Sequence, residues 1–193
     1  GLGDVYKRQL QHCQAEIRKR QHIELANHLL ALGDCFYVED MAWPSLTHRA
    51  KETAISEKTG RIKRKKRFGK SVANKAPATL IGILEQKCNS LGLPGVMKVP
   101  TSLRASQYNH QSGEYTSKPL SQRWNNMPDG ERIQRDLYSA FLLQHYDPKA
   151  GNFDSALLQQ DYAQFVQYHH RAIQRLSTVP KTLSSMGIQR SLR

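Results

Sequence analysis

The sequence predicts an α/β fold, and three stretches carry that prediction. Cys35 to Val38 is an apolar run rich in strand formers, Ala76 to Leu91 has helical spacing, and Val96 to Val99 is a second short apolar run. Strand, helix, strand in that order makes a parallel pair joined by a right-handed crossover, because parallel strands need a long connection between them. At 193 residues, 38% hydrophobic and 23% charged, the chain has material for one domain with a core and solvated flanks.

Residues 1–9, GLGDVYKRQ, lack an initiator Met and read as a translated sequencing or assembly scar, so they are set apart from the fold. From Leu10 to Leu32 the mixture of charged residues with Ile17, Ile23, Leu25, Leu29, Leu30 and Leu32 predicts one long helix, stopped by Gly33-Asp34. Cys35 to Val38 then reads as a central strand buried on both faces, and Trp43-Pro44-Ser45 breaks it. Residues 61–75 hold eight basic side chains and no acid between the breakers Gly60 and Gly69 and beyond, which predicts an extended or mobile basic loop. In the helix over 76–91, Pro77 is tolerated in the first turn, Leu80, Ile83, Leu84 and Cys88 share a face, and Gly92 ends it.

The strand at 96–99 is closed by Pro100. Residues 101–129 are polar and irregular, with short strands expected near Gln107 and Tyr115. Ile133 to Tyr146 reads as an amphipathic helix, Asp154 to Leu176 as a final helix, and 178–193 as a Ser-rich basic tail expected to be poorly ordered. No internal repeat is visible.

With 29 Lys and Arg against 16 Asp and Glu, the net charge is +13 and the pI near 9.9. Such an excess favours a polyanionic partner, since neutralising phosphates releases counterions; the alternative is a solvated basic surface. Cys13, Cys35 and Cys88 are too few and scattered for a disulfide framework and form no CxxC pair, which indicates a reducing compartment. No apolar stretch reaches the roughly 18 residues of a membrane span and no signal peptide is evident, so the expected location is the cytoplasm.

Two acids bear on chemistry. Glu39 ends the run CFYVEDM (35–41) and Asp136 opens QRDLYSAFLL (134–143). Carboxylates at a strand end and on a neighbouring helix converge in RNase H-like nucleases, where hard divalent ions about 3.5–4 Å apart hold the attacking and leaving oxygens of a phosphodiester. Asp136 lies at helical offsets from Ile133, Ala140 and Leu143, so it is expected at the core edge, where an acid is costly unless paired or metal-bound. Singly, each acid has a structural reading: Asp136 as an early-turn acid favoured by the helix dipole, Glu39 as a partner of a basic side chain. Asp40 could be the ligand in place of Glu39, or a helix N-cap. A site of this kind needs a third acid from an earlier strand, for which the residues before Leu10 leave no room.

These segments resemble a known family. YVEDM (37–41) looks like the second RuvC motif, and IQRDLYSAFLL (133–143) like the third, of the TnpB proteins, transposon-encoded relatives of type V CRISPR effectors. The stretch ATLIGILEQKCNSLGLPGVMKVP (78–100) is similar to the family's helix and strand between those motifs, and the resemblance covers residues 10–146. It implies the C-terminal half of an RNase H-like (RuvC) domain with parallel strands and flanking helices, followed over 147–193 by a helical basic tail. It further implies Mg²⁺- or Mn²⁺-dependent cleavage of DNA directed by a transposon-end guide RNA, with Glu39 and Asp136 as catalytic metal ligands. The first motif would lie before Leu10 and is absent, so these residues alone are expected to be inactive.

Two departures stand out. Many members carry a four-cysteine zinc ribbon, whereas SQYNHQSGEYTSKPLSQRW (106–124) has no Cys, so residues 101–129 read as a zinc-ribbon remnant and no zinc is expected. His110, the one imidazole there, reads as a surface residue. Gln134 and Tyr138 stand where the family often has Asp and Asn. Arg61, Lys63, Arg64, Lys65, Lys66, Arg67 and Lys70 are the expected nucleic-acid contacts. The His169-His170 pair and His12, His22, His28 and His48 read as solvated helix faces, and Cys35 and Cys88 as core. Tyr108, Tyr115 and Trp124 could stack on bases or serve hairpin packing. Two other functions fit the pattern: a non-catalytic nucleic-acid-binding module in which the acids are structural, and a DDE-type strand-transferring transposase.

Overall fold

The structure, a computed structural model, describes residues 2–47, 55–57, 60–62, 68–179 and 184–189. The chain forms two units, Gly1–Phe36 with Met41–Met97, and Tyr37–Asp40 with Lys98–Arg193. Helices and small parallel and antiparallel sheets make it α/β in composition, as predicted. Among the described residues no helix is long and apolar enough to cross a membrane.

The first unit contains α1 (Leu2–Leu30), α2 (Trp43–Thr47), α3 (Phe68–Lys75) and α4 (Pro77–Leu91), and parts of β1 (Cys35–Glu39) and β2 (Gly95–Val99). Helix α1 runs through the supposed scar, because elongation from a packed helix costs little once nucleated. Its inward positions Ala15, Arg18, His22, Ala26 and Leu29 recur every three or four residues and make one stripe. Ala26, Leu84 and Cys88 are buried together, with Leu80, Ile83 and Phe36 around them, so the helix α4 face foreseen in the sequence is the core face.

Residues 61–75 are not a loop throughout, since α3 occupies Phe68–Lys75. Gly69 serves close packing there, not chain breaking: a Cβ would meet Thr47 O at 3.0 Å and Leu46 O at 3.1 Å. Ahead of it, Ile55 and Ile62 form an isolated antiparallel bridge. Between α3 and α4, Ala76 turns the chain at φ 44°, ψ 57°, a left-handed conformation that strains a residue with a Cβ. Gly92 (φ 67°) ends α4 with its N–H on Asn89 O, as its lack of a Cβ permits.

β1 pairs with β2. The ladder is parallel, with Gly95 N donating to Asp34 O at 3.2 Å near its start and Asp40 N to Val99 O at 2.8 Å near its end. The expectation of a central strand buried on both faces fails: every residue of β1 is half-buried, and among the described residues the sheet has two strands. A short apolar run does not reveal how many neighbours a strand acquires.

Among the described residues the second unit is built on three hairpins and two α-helices. β3 (Tyr108–Asn109) pairs with β4 (Glu114–Tyr115), β5 (Trp124–Asn126) with β6 (Arg132–Gln134), and, after α5 (Arg135–Gln144), β7 (Tyr146–Asp147) with β8 (Asn152–Phe153), all antiparallel. Helix α6 (Ser155–Ser177) follows, its first turn capped by the Asp154 carboxylate accepting from Ala156 N and Leu157 N at 3.0 Å each. Ile133, Tyr138, Phe141, Leu142, Phe153 and Leu158 are the buried centre, and Phe141 stacks on Phe165 with centroids 4.3 Å apart. Ile133 belongs to β6 and not to the helix expected over 133–146, because Gln134 holds extended backbone (φ −67°, ψ 128°) and acts as the cap from which α5 starts.

The basic tail is not uniformly loose. A short 3₁₀ turn at Ser184–Met186 is followed by Ile188, which is buried, and Gly187 O accepts from Trp124 Nε1 at 2.9 Å. Residues 180–183 and 190–193 lie outside the described residues.

Candidate catalytic carboxylates

Glu39 and Asp136 belong to the same unit. Glu39 is the last residue of β1 and half-buried, and burial pushes its carboxyl up from the ordinary glutamate value. Asp40 is exposed, its N–H continuing the ladder to Val99.

Asp136 is the second residue of α5, in the turn where exposed backbone N–H groups favour an anion. Its side chain is 49% exposed, against the expectation of a core-edge position. The offset argument fails because Ile133 is in a strand and Ala140 is itself exposed. Two neighbours hold the carboxylate: Gln134 Nε2 donates to Oδ2 at 3.1 Å, and Arg135 Nε lies 3.5 Å from Oδ1.

Gln134 is the residue the sequence reading undervalued. It is fully buried, its Oε1 accepts from Leu137 N at 2.8 Å, and its Nε2 donates both to Asp136 and, at 3.2 Å, to Met186 O. Its backbone N–H donates to His169 Nε2 at 3.0 Å. One amide thus caps α5, fixes Asp136 and seats the C-terminal segment. A Gln immediately before a helical run, where Ser, Asp or Asn would be the usual cap, was the available signal. Arg135 is also buried, with Nη1 donating to Pro119 O at 3.4 Å.

The histidine expectations need correction. His110 is buried, not on the surface: its N–H donates to Tyr138 Oη at 3.1 Å, and its Nδ1 meets the same hydroxyl at 2.7 Å. The ring nitrogen and the hydroxyl share that second hydrogen bond, and burial lowers the pKa of the imidazole. Burial, then the neighbouring His170, lowers that of His169, only 3% exposed and T-shaped against Trp124. His22 is buried too, whereas His12 and His28 are exposed and His170 Nε2 is hydrogen-bonded to Glu131 Oε2 at 3.0 Å; His48 lies outside the described residues. A residue whose ring can take one bond and bury the rest gives no periodic signal in sequence.

Cys88 is fully buried, as a core residue should be, whereas Cys35 is only half-buried. The aromatics serve hairpin packing: Tyr108 lies 5.0 Å from Tyr115 and stacks on Phe153, while Arg104 sits over Tyr115 and Arg132 over Trp124. Of the expected nucleic-acid contacts, Arg61 is exposed beside the Ile55–Ile62 bridge and Lys70 lies in α3. Lys63, Arg64, Lys65, Lys66 and Arg67 lie outside the described residues.

Carboxylate oxygens suit a hard divalent ion, but the donor set is incomplete. Asp136 is already engaged by Gln134 and Arg135, and among the described residues no three of His, Cys, Asp and Glu gather to hold a metal. The described residues therefore do not by themselves fit a two-metal centre. No protein-family model, curated protein or solved structure matches the chain.

Proposed function

We propose that this chain is the C-terminal RuvC-like part of a TnpB-like, RNA-guided, divalent-metal-dependent DNA endonuclease, with Glu39 and Asp136 as two of its three metal-binding acids. The observation that carries the reading is an acid at the end of a strand in a parallel pair, followed in the same unit by an acid in the first turn of α5. That is the order of the second and third motifs the sequence resembles. Burial at Glu39 supports it further: a half-buried carboxyl whose neutral form is favoured gains from a cation. Gln134 orients Asp136 through one oxygen, as outer partners do for metal ligands. The basic residues Arg61 to Lys75 contact DNA or guide RNA, and three free cysteines suit a reducing cytoplasm.

With two carboxylates the 193 residues alone cleave little or no DNA. The test joins the chain to the coding sequence upstream of it, supplies the adjacent transposon-end RNA, and measures Mg²⁺-dependent cleavage of a matched DNA. Cleavage abolished by Glu39→Ala and by Asp136→Ala is expected; cleavage that survives both sinks the assignment. The engagement of Asp136 by Arg135 favours a second reading, a nucleic-acid-binding module whose acids are structural. Salt-dependent binding indifferent to Mg²⁺, with no cleavage by the extended protein, would select it. Joining of a DNA end to a target would instead select a DDE-type transposase.

A further inference from the structure

The first unit contains a pocket of about 460 Å³ that the carboxylate site does not use. Gln14, Ile17, Arg18, Gln21 and His22 of α1 form one wall, and Asn74 and Lys75 at the end of α3 form the other. The volume is within the range of ligand sites, roughly 300–1,000 Å³. Among the described residues, two cations and three primary amides line it and no carboxylate does, so this lining is complementary to an anion.

Two details separate it from an ordinary solvated helix face. Arg18 is oriented: Nη1 donates to Asn74 O at 2.8 Å, and among the described residues no other hydrogen bond of the guanidinium is seen. His22 is buried to about nine-tenths, and its Nδ1 is sealed without a partner among the described residues. Nε2 is then the one ring nitrogen able to meet a ligand.

The ligand's chemistry follows from the lining. Rigid and flexible cations beside amide donors match the oxygens of a phosphate. Apart from the imidazole no ring lines the pocket among the described residues, which favours a phosphate over a stacked base. We propose that this pocket binds one phosphate of a nucleic-acid strand, with Arg18 and Lys75 neutralising its charge and Gln14, Gln21 and His22 available to donate to it. The site deepens the nucleic-acid contact proposed above for Arg61 to Lys75, since it includes Lys75, and does not rest on the carboxylate assignment.

The test measures binding of a short labelled single-stranded RNA or DNA to the whole chain, in EDTA, across a salt series. Arg18→Gln with Lys75→Gln removes two phosphate partners and should weaken binding roughly tenfold or more at about 0.1 M salt, lowering the salt slope by about 1.5. Lys19→Gln with Arg20→Gln removes equal charge from exposed positions of α1 outside the pocket and should do less. Gln21→Glu leaves the Arg18–Asn74 bond intact, alters an exposed side chain, and should also weaken binding by placing a carboxylate in the site. Equal effects of the two double variants, or unchanged binding by Gln21→Glu in a chain of unchanged circular dichroism, would overturn the site. Calorimetry with pyrophosphate separates the sources: if the pocket variants lose pyrophosphate but keep the strand, the strand is the wrong ligand. Because no divalent ion is present and no cleavage is read, failure here leaves the endonuclease proposal untouched.

Discussion

Replacing Gln134 with alanine removes three interactions from one buried position. The cap on Leu137 N is worth about 1 kcal/mol. The bond to Met186 O contributes about 1 kcal/mol more, since that carbonyl loses its side-chain donor. The two buried methylenes, one of them kept as the alanine methyl, add about 1 kcal/mol, and the half-exposed Asp136 bond adds little. The sum is about 3 kcal/mol. Urea unfolding followed by Trp124 fluorescence in a Trp43→Phe background reads it, because Trp124 Nε1 is bonded to the same C-terminal segment that Gln134 seats. Gln134→Met, which fills the volume but makes no bonds, should cost about 2 kcal/mol. A loss below about 1 kcal/mol for alanine would show that Gln134 does not couple the α5 cap to the C-terminal segment.

Gly187→Ala should loosen that segment. A Cβ there would stand 2.6 Å from Arg123 Cβ at φ +69°, a left-handed strain of about 1–2 kcal/mol before any clash, and faster limited proteolysis after α6 would report it. Ala76→Gly relieves similar strain at φ 44° but loosens the unfolded chain, so a net gain of about 0.5 kcal/mol is expected by thermal unfolding; destabilisation would contradict the strain. His110 and His169 have folded pKa values below the ordinary histidine value of 6.5. The unfolded chain therefore takes up protons first, and the stability these two residues allow is fully present above pH 6.5 and lost as pH falls through their folded values. His169→Asn should flatten that decline in pH-dependent urea midpoints, and an unchanged decline would count against burial as its cause. Glu39 has the opposite sign: its raised carboxyl costs stability as pH rises above 4.5, so Glu39→Gln should be the more stable form at neutral pH, with the difference vanishing in acid.

Local sequence was enough for the elements whose signals are local. Helix α4 begins at Pro77 and ends at Gly92 because proline is tolerated in a first turn and glycine accepts the left-handed stop. α6 starts after Asp154 because its carboxylate satisfies free N–H groups, and the runs from Cys35 and through Val96 form strands because they are apolar and strand-forming. Glu39 and Asp136 could be singled out by their positions at the boundaries of such elements. What sequence could not supply was long-range pairing. Gly69 read as a breaker until Thr47 O and Leu46 O were found against it. Ile133 counted as helical until β6 paired with β5. Asp136 was expected at the core edge, but the amide of Gln134 and the guanidinium of Arg135 hold it half exposed. In the tail, Met186 O and Gly187 O accept from side chains more than fifty residues back along the chain, and Ile188 is buried. Composition and spacing fix which backbone groups need partners; only the folded chain decides which distant side chain answers, because burial and hydrogen bonding are settled between elements and not within them.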